Sequence, residues 1–257
     1  MKAYKGFNRD MTCRGSQFEE GKTYEHQGDV KLCESGFHAC EDPMDCLRYY
    51  DPCTSVYHEV EIDGVSDERK EDTKVVGKKI RIGERMSIKS IVKASIEFAF
   101  ASCKNAENGD YTTGYWSRQA ASGDWSRQAA TGDRSSQAAS GNWSSQAASG
   151  NWSSQVASGA GSSQVASGDW SSQAATGYGS RQAASGAESS QETTGKNCVM
   201  MSAGNGGRAK GKIGSWIVLT EWKKGVPNVV AKRIDGEEIK EDVWYTLKNG
   251  KFAEVES

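Results

Sequence analysis

Between residues 114 and 195 the chain fixes every second position and lets the ones between vary, nine residues at a time. Gly recurs at 114, 123, 132, 141, 150, 159, 168, 177, 186, 195 and 204. The first nine units read G-x-x-S-[SR]-Q-[AV]-A-[ST], loosening only in the ninth. The fourth residue is always Ser and the sixth always Gln; the eighth is Ala from Ala121 to Ala184 and then Thr193. The third, fifth and seventh accept Trp, Arg, Gly, Glu, Ser, Ala or Val. A period of two is the mark of a strand with one enclosed face. It predicts the fourth, sixth and eighth side chains inside and the third, fifth and seventh outside. The Gly and its Ser/Thr neighbour are assigned to the corner, because Gly accepts positive φ without steric cost.

One Gly and two or three Ser/Thr in every nine residues oppose a helix. A disordered linker would not hold Gln and Ser at fixed positions while carrying Trp in most units. The fold class expected is therefore mainly β: a parallel β-solenoid of nonapeptide repeats, two arms and eighteen residues to the coil. Five to six coils at ~4.8 Å each would make a stack of roughly 25 Å. A buried amide needs partners, so ladders of Gln and of Ser are expected along the axis, as in stacked amides of cross-β structures. Calcium rolls share the period but repeat an Asp in the turn. Here Asp stands only at 124, 133 and 169, so no calcium is expected.

In this arrangement one face carries Trp116, Arg134, Trp152, Trp170 and Glu188, the other Trp125, Trp143, Gly161 and Gly179. Those aromatic residues, with Arg134, Arg118, Arg127 and Arg181, are the candidate binding surface. The competing reading is that the Trp rings only clad a thin coil.

The flanking segments differ. Residues 1–84 read as a small α+β head domain, with strands at Tyr4–Phe7, Thr23–His26, Ser55–Ile62 and Lys74–Ile82 and a short helix at Pro43–Tyr50 with Pro at its start. Residues 85–113 form a linker and N-terminal cap; Ile88, Ile91, Val92 and Phe98 suggest an amphipathic helix from near Ser87, with a strand over SIEFAFA as the alternative. The solenoid covers 114–212, with Cys198–Ala203 as a last, more apolar coil. Residues 213–257 read as a C-terminal antiparallel cap with strands at Trp216–Glu221, Val229–Ile234 and Val243–Leu247. Asp235-Gly236 and Asn249-Gly250 are its hairpin-turn signals.

Charge narrows the function. The net charge is −2. No basic excess marks a phosphate-tracking surface, so nucleic acid is not an expected partner. No stretch approaches the length of a membrane span, and the N-terminus lacks an export signal. The seven Cys are then read as reduced thiols of a cytosol. Cys33, His38, Cys40 and Cys46 are the one set with zinc-ligand chemistry, but their spacing matches no standard knuckle. Cys53 is nearby. Cys33 or Cys40 with His38 or His58 contains the groups of a Cys–His nucleophile without its spacing. Asp67 to Asp72 is a solvated charge run. No catalytic residue, metal or cofactor is expected. A head pocket, if present, would be lined by Tyr24, His38, Tyr49 and Tyr50.

The blocks KGFNRDMTCRG near the start, GKTYE at 21–25, CESGFHAC at 33–40, DPMDCLRYY at 42–50 and VWYTLKNGKFAEVE at 243–256 carry a resemblance across nearly the whole chain. With the repeats between them, the sequence resembles an uncharacterised family of phage and prophage proteins, in which a head precedes a variable number of Gly-Ser-Ala repeats. The resemblance implies a viral protein acting in the cytoplasm of a bacterial host, and it transfers no catalytic residue. The reading is a non-enzymatic interaction protein that binds a host factor, such as a component of a defence system, through the solenoid or the head; self-association is a further option. A virion-associated spacer and a ligand-binding or enzymatic head are the alternatives.

Overall fold

The computed structural model describes residues 1–52, 54–68, 73–105 and 109–256. Cys53 and residues 69–72 of the charge run lie outside them, as does the side chain of Cys103. The chain forms two compact units, 1–94 and 95–257.

The first unit is an antiparallel sheet closed on itself. Its elements are β1 (Lys2–Asn8), β2 (Thr12–Cys13), β3 (Ser16–Gln17), β4 (Thr23–Glu25), β5 (Phe37–Cys40), α1 (Pro43–Cys46), β6 (Ser55–Val65) and β7 (Lys74–Arg85). The strand order is β4-β7-β5-β1-β6, and β7 also pairs with β6, which closes the ring. β7 runs for twelve residues, so one half pairs with β5 and the other with β4. Alternation sends Ala3, Phe7, Val60, Ile62, Ile80 and Ile82 inward. Gly77 is required there because a Cβ would meet the Ile62 side chain at 2.6 Å. α1 starts where the sequence places it: Asp42 caps it by accepting from the Met44 N–H at 2.9 Å, with Pro43 at the first position. The predicted strands at 4–7, 23–26, 55–62 and 74–82 fall on β1, β4, β6 and β7, while β2, β3 and β5 have no counterpart in the sequence reading.

α2 (Ile88–Asn105) settles the 87–100 segment as helix. Ser87 and Ser90 bond each other's N–H reciprocally at 3.2 and 2.7 Å, a box-like N-cap. The boundary between the two units falls within this helix.

The second unit is a β-solenoid of about six turns spanning residues 111 to 218. After β8 (Gly109–Thr112) come nine four-residue strands at nine-residue intervals. They are β9 (Arg118–Ala121), β10 (Arg127–Ala130), β11 (Ser136–Ala139), β12 (Ser145–Ala148), β13 (Ser154–Ala157), β14 (Ser163–Ala166), β15 (Ser172–Ala175), β16 (Arg181–Ala184) and β17 (Ser190–Thr193). Even-numbered strands stack in parallel in one sheet and odd-numbered ones in the other, each residue paired with the one eighteen further on. Two arms per coil are thus observed.

The fixed positions have distinct causes. Each Gln reaches along the axis: Gln155 Nε2 donates to Gln137 Oε1 at 3.0 Å, and Gln173 Nε2 to Gln155 Oε1 at 2.9 Å. The second amide hydrogen crosses the coil. Gln155 Nε2 also donates to the Val165 carbonyl at 3.1 Å, so the amides staple one sheet to the other. The Ser residues do not form the expected ladder. Each hydroxyl donates to the Gly carbonyl three residues back, as Ser171 does to Gly168 at 2.8 Å, and so closes its own turn. The Gly, in turn, is not fixed by positive φ. From Gly132 onward a Cβ would fall on the carbonyl oxygen of the Gly one coil earlier. Close backbone approach excludes every side chain.

Positive φ occurs instead at the third position. Trp116, Trp125, Arg134, Trp143, Trp152, Trp170, Glu188 and Asn197 have φ of 54–63°, and Gly161, Gly179 and Gly206 share the conformation. These residues form the turns, so the two Trp rows run along the edges of the coil and not on its faces.

Beyond β18 (Val199–Ser202) and β19 (Arg208–Lys210) the stack is closed by two hairpins. β20 (Trp216–Lys223) continues one sheet in parallel and pairs with β21 (Val226–Arg233). β22 (Trp244–Lys248) pairs antiparallel with β19 and with β23 (Lys251–Val255). Asn249-Gly250 makes the second turn, with φ of 53° and 73°. The first is made by Lys224-Gly225, at 50° and 79°, not by Asp235-Gly236. Asp235 is occupied otherwise: its carboxylate accepts from the N–H groups of Glu237 and Ile239 at 2.9 and 3.0 Å.

Candidate functional site

Two places gather chemically capable side chains, one in each unit. The first is a cavity of about 690 Å³ in the head. β1 supplies Lys5, the hairpin β2–β3 supplies Arg14, β5 supplies His38, the segment after α1 supplies Tyr49 and Tyr50, and β7 supplies Lys74. Gly6 makes room for Tyr50: a Cβ there would run into the Tyr50 ring. The Tyr50 hydroxyl lies 2.8 Å from Cys13 Sγ, and burial first, then this contact, raises its pKa. Tyr50 is therefore a neutral hydroxyl at any ordinary pH.

Lys5 breaks the strand pattern. It shares the face of Ala3 and Phe7, both fully buried, and is itself only 6% exposed. Its Nζ donates to the His38 carbonyl at 2.8 Å and sits 5.5 and 6.0 Å from the centres of the Phe7 and Tyr50 rings. Arg14 and Gly15 form a two-residue turn with φ of 48° and 79°, the type I′ geometry. Lys74 lies 3.7 Å above the Tyr49 ring. His38 accepts from the Cys33 N–H at 2.7 Å. Burial, followed by the charges of Lys5, Arg14 and Lys74, lowers its pKa from 6.5 to about 4, which keeps the ring neutral. Glu34 is the acidic residue of the wall, and it is paired with Lys31 at 2.8 Å.

Of the sequence-named residues, His38, Tyr49 and Tyr50 come together here. Tyr24 does not; its ring packs 4.9 Å from Phe18, and its hydroxyl accepts from the Glu19 N–H. Cys33, His38, Cys40 and Cys46 do not converge as ligands. Among the described residues no three His, Cys, Asp or Glu side chains form a metal-holding group. His58 is outside the cavity, its Nδ1 2.9 Å from the Gly83 carbonyl oxygen. Lys5, Arg14 and Lys74 were missed by the sequence reading. The available signal was a lysine at core parity and an Arg-Gly step between two short polar strands.

The second place is the pair of solenoid edges. On one, Arg134 lies 4.9 Å over the Trp116 ring, and Trp152 stacks on Trp170 at 5.3 Å and 8°. On the other, Trp125 stacks on Trp143 at 5.7 Å and 15°. Trp116, Trp152 and Trp170 are each more than half exposed and Trp125 nearly so, while Trp143 is half-buried. The arginines divide. Arg118 is exposed, Arg127 is half-buried, and Arg181 is buried, with Nη2 donating to the Gly161 carbonyl at 3.0 Å. Arg181 is thus no surface contact. The same asymmetry corrects the expectation of free seventh positions. Ala129, Ala147, Val165 and Ala183 of the even-numbered strands are buried, whereas Val156 on the opposite sheet is exposed.

No helix among the described residues is long and apolar enough to cross a membrane. Residues 1–94 match the family model described as Domain of unknown function (DUF7666). No curated protein and no solved structure matches the chain.

Proposed function

We propose that this chain is a non-enzymatic interaction protein whose solenoid presents the edge bearing Trp116, Arg134, Trp152 and Trp170 to another protein. The observation that carries the reading is that the fold does not need those side chains. The turn requires only a left-handed residue, and Gly161 and Gly179 supply one on the other edge. A left-handed non-Gly residue costs roughly 1–2 kcal/mol, and a stacked aromatic pair contributes about 0.5–1.5 kcal/mol. Both members of a stacked pair are left-handed, so the pair costs roughly 2–4 kcal/mol and its stacking offsets only part of that; stability alone gives no reason to hold three Trp and an Arg in register on one exposed edge. Trp and Arg are also the residues that dominate binding hot spots. The resemblance of the sequence to phage and prophage proteins suggests a bacterial host protein as the partner and the host cytoplasm as the compartment.

The test replaces Trp116, Arg134, Trp152 and Trp170 together by Gly, which the turn accepts, and compares capture from host lysate by quantitative mass spectrometry. A matched variant replaces Trp125 and Trp143. Partners recovered by the wild type and by the matched variant, but lost from the fourfold variant at unchanged thermal midpoint, support the reading. Identical recovery by all three proteins refutes it.

A further inference from the structure

The head cavity holds a buried cation of a kind that protein interiors rarely leave without a counter-charge. Lys5 is nine-tenths buried on the core-facing side of β1. Among the described residues neither Lys5 nor Arg14 meets a carboxylate at ion-pair distance. A buried ammonium is unfavourable without a counter-charge, and here it has one carbonyl and two ring faces. Lys74 adds a third cation, and the wall's Glu34 is neutralised by Lys31. Around these charges stand the rings of Phe37, Tyr49 and Tyr50. The cavity volume lies inside the range of small-molecule sites. Rings select a planar group and a converging set of cations selects an anion. Breaks in local sequence rules without another compensation collect at functional sites.

We propose that this cavity binds a small anion carrying a planar ring, of the nucleoside monophosphate class, with Lys5 and Arg14 on the phosphate and Tyr49 and Tyr50 against the ring. Lys5 supplies a fixed, desolvated charge. Arg14 sits on a rigid two-residue turn and supplies planar donors that suit phosphate oxygens. His38 stays neutral, its Nε2 accepting from the Cys33 N–H, and adds no charge to the wall.

The experiment is calorimetric titration of the full chain with the four nucleoside 5′-monophosphates, with the unphosphorylated nucleosides and inorganic phosphate as separate arms. At least one monophosphate should bind saturably below about 1 mM, more than tenfold tighter than its nucleoside or phosphate alone. Binding should weaken with added salt. Lys5→Met and Arg14→Asn should each weaken it about tenfold or more; the second variant changes only an exposed turn residue whose left-handed backbone Asn tolerates, so it tests the site even where Lys5→Met fails to fold. No saturable binding of any monophosphate would overturn the proposal. So would phosphate binding as tightly as the monophosphates, or an Arg14→Asn protein that binds like wild type.

Discussion

The amide ladder can be tested by changing one atom of it. Gln155 is 1% exposed and has three hydrogen bonds: Nε2 donates to Gln137 Oε1 and to the Val165 carbonyl, and Oε1 accepts from Gln173. Gln155→Glu keeps the shape and the acceptor and removes both donors. An ionised carboxylate would then face two oxygens inside the coil, so the introduced carboxyl stays protonated in the fold. Holding it protonated at pH 7 against an unfolded pKa near 4.3 costs about 1.36 kcal/mol per pH unit, hence roughly 3.7 kcal/mol. The protonated acid still donates only once, and the orphaned acceptor adds about 1–3 kcal/mol. The sum of about 5–7 kcal/mol rivals the whole stability of an ordinary domain. Because the folded pKa is raised, the protonation cost is absent below about pH 4.3 and grows as pH rises towards the folded pKa. All eight tryptophans lie between residues 116 and 244, so their fluorescence during urea unfolding reports the second unit alone. The difference from wild type should be about 1–3 kcal/mol near pH 4 and several kcal/mol larger at pH 7, while Gln155→Leu should show no such pH dependence. A cost below about 1 kcal/mol at pH 7, or one indifferent to pH, would mean the amides do not carry the coil.

Other outcomes follow from the same geometry. Gly177→Ala places a methyl on the Gly159 carbonyl oxygen and should cost about 3 kcal/mol or more in urea unfolding. Gly179→Asn, two residues away at φ 66° with open space around it, should stay within about 1 kcal/mol of wild type, since Asn tolerates that conformation. Deleting the eighteen residues 150–167 should preserve the fold by circular dichroism, whereas deleting residues 159–167 alone should not, because nine residues exchange the two sheets for every strand on one side of the cut. In the head, burial and neighbouring cations hold His38 neutral, with a pKa of about 4 in place of 6.5. Its contribution to stability is complete above pH 6.5 and is lost as pH falls from 6.5 towards 4. The thermal midpoint of the head should fall over that window, less so in His38→Gln, and the ring's proton resonances should titrate near pH 4.

The repeat was legible because its constraint is periodic: Ser, Gln and Ala hold the buried positions, and that alternation has one structural meaning. The role of the Gly was not legible, because close backbone approach and positive φ both demand Gly and leave the same letter. The left-handed third position was masked by Trp, Arg and Glu; the trace it left was Gly161, Gly179 and Asn197 at the same site. The burial of Arg181 and Val165 depends on what lies beyond the strand, which a nine-residue pattern does not encode. Asp235-Gly236 has the composition of a hairpin turn, but its carboxylate serves a local backbone turn, and the less conspicuous Lys224-Gly225 makes the hairpin. In the head, His38, Tyr49 and Tyr50 were found within blocks of unusual composition. Lys5 was missed because a single polar residue on a short strand reads as a solvent-facing position.

The near-identity of the units raises the question of what sets the register. Sliding one coil by eighteen residues re-forms each Gln–Gln and Ser–Gly contact of the interior, so the interior cannot discriminate between registers. The C-terminal end can. Its ladders stop at Gln182 and Gln191, whose Oε1 atoms are buried with no partner among the described residues, because Met200 and Ala209 occupy the next coil. Two orphaned acceptors cost about 1–3 kcal/mol each. Against them stands a buried cluster that includes Met200, Ile217, Leu219, Ile234, Ile239 and Leu247, each contributing roughly 1.5–3 kcal/mol on burial. The apolar closure outweighs the broken ladder, and a slip would set glutamines against it. Thr220 Oγ1 donating to the Ser202 carbonyl and Trp222 Nε1 donating to the Ala203 carbonyl, both at 2.8 Å, fix the last coil further. A chain built this way can gain or lose whole coils while its closing end stays the same, which is the freedom that a repeat array of variable number requires.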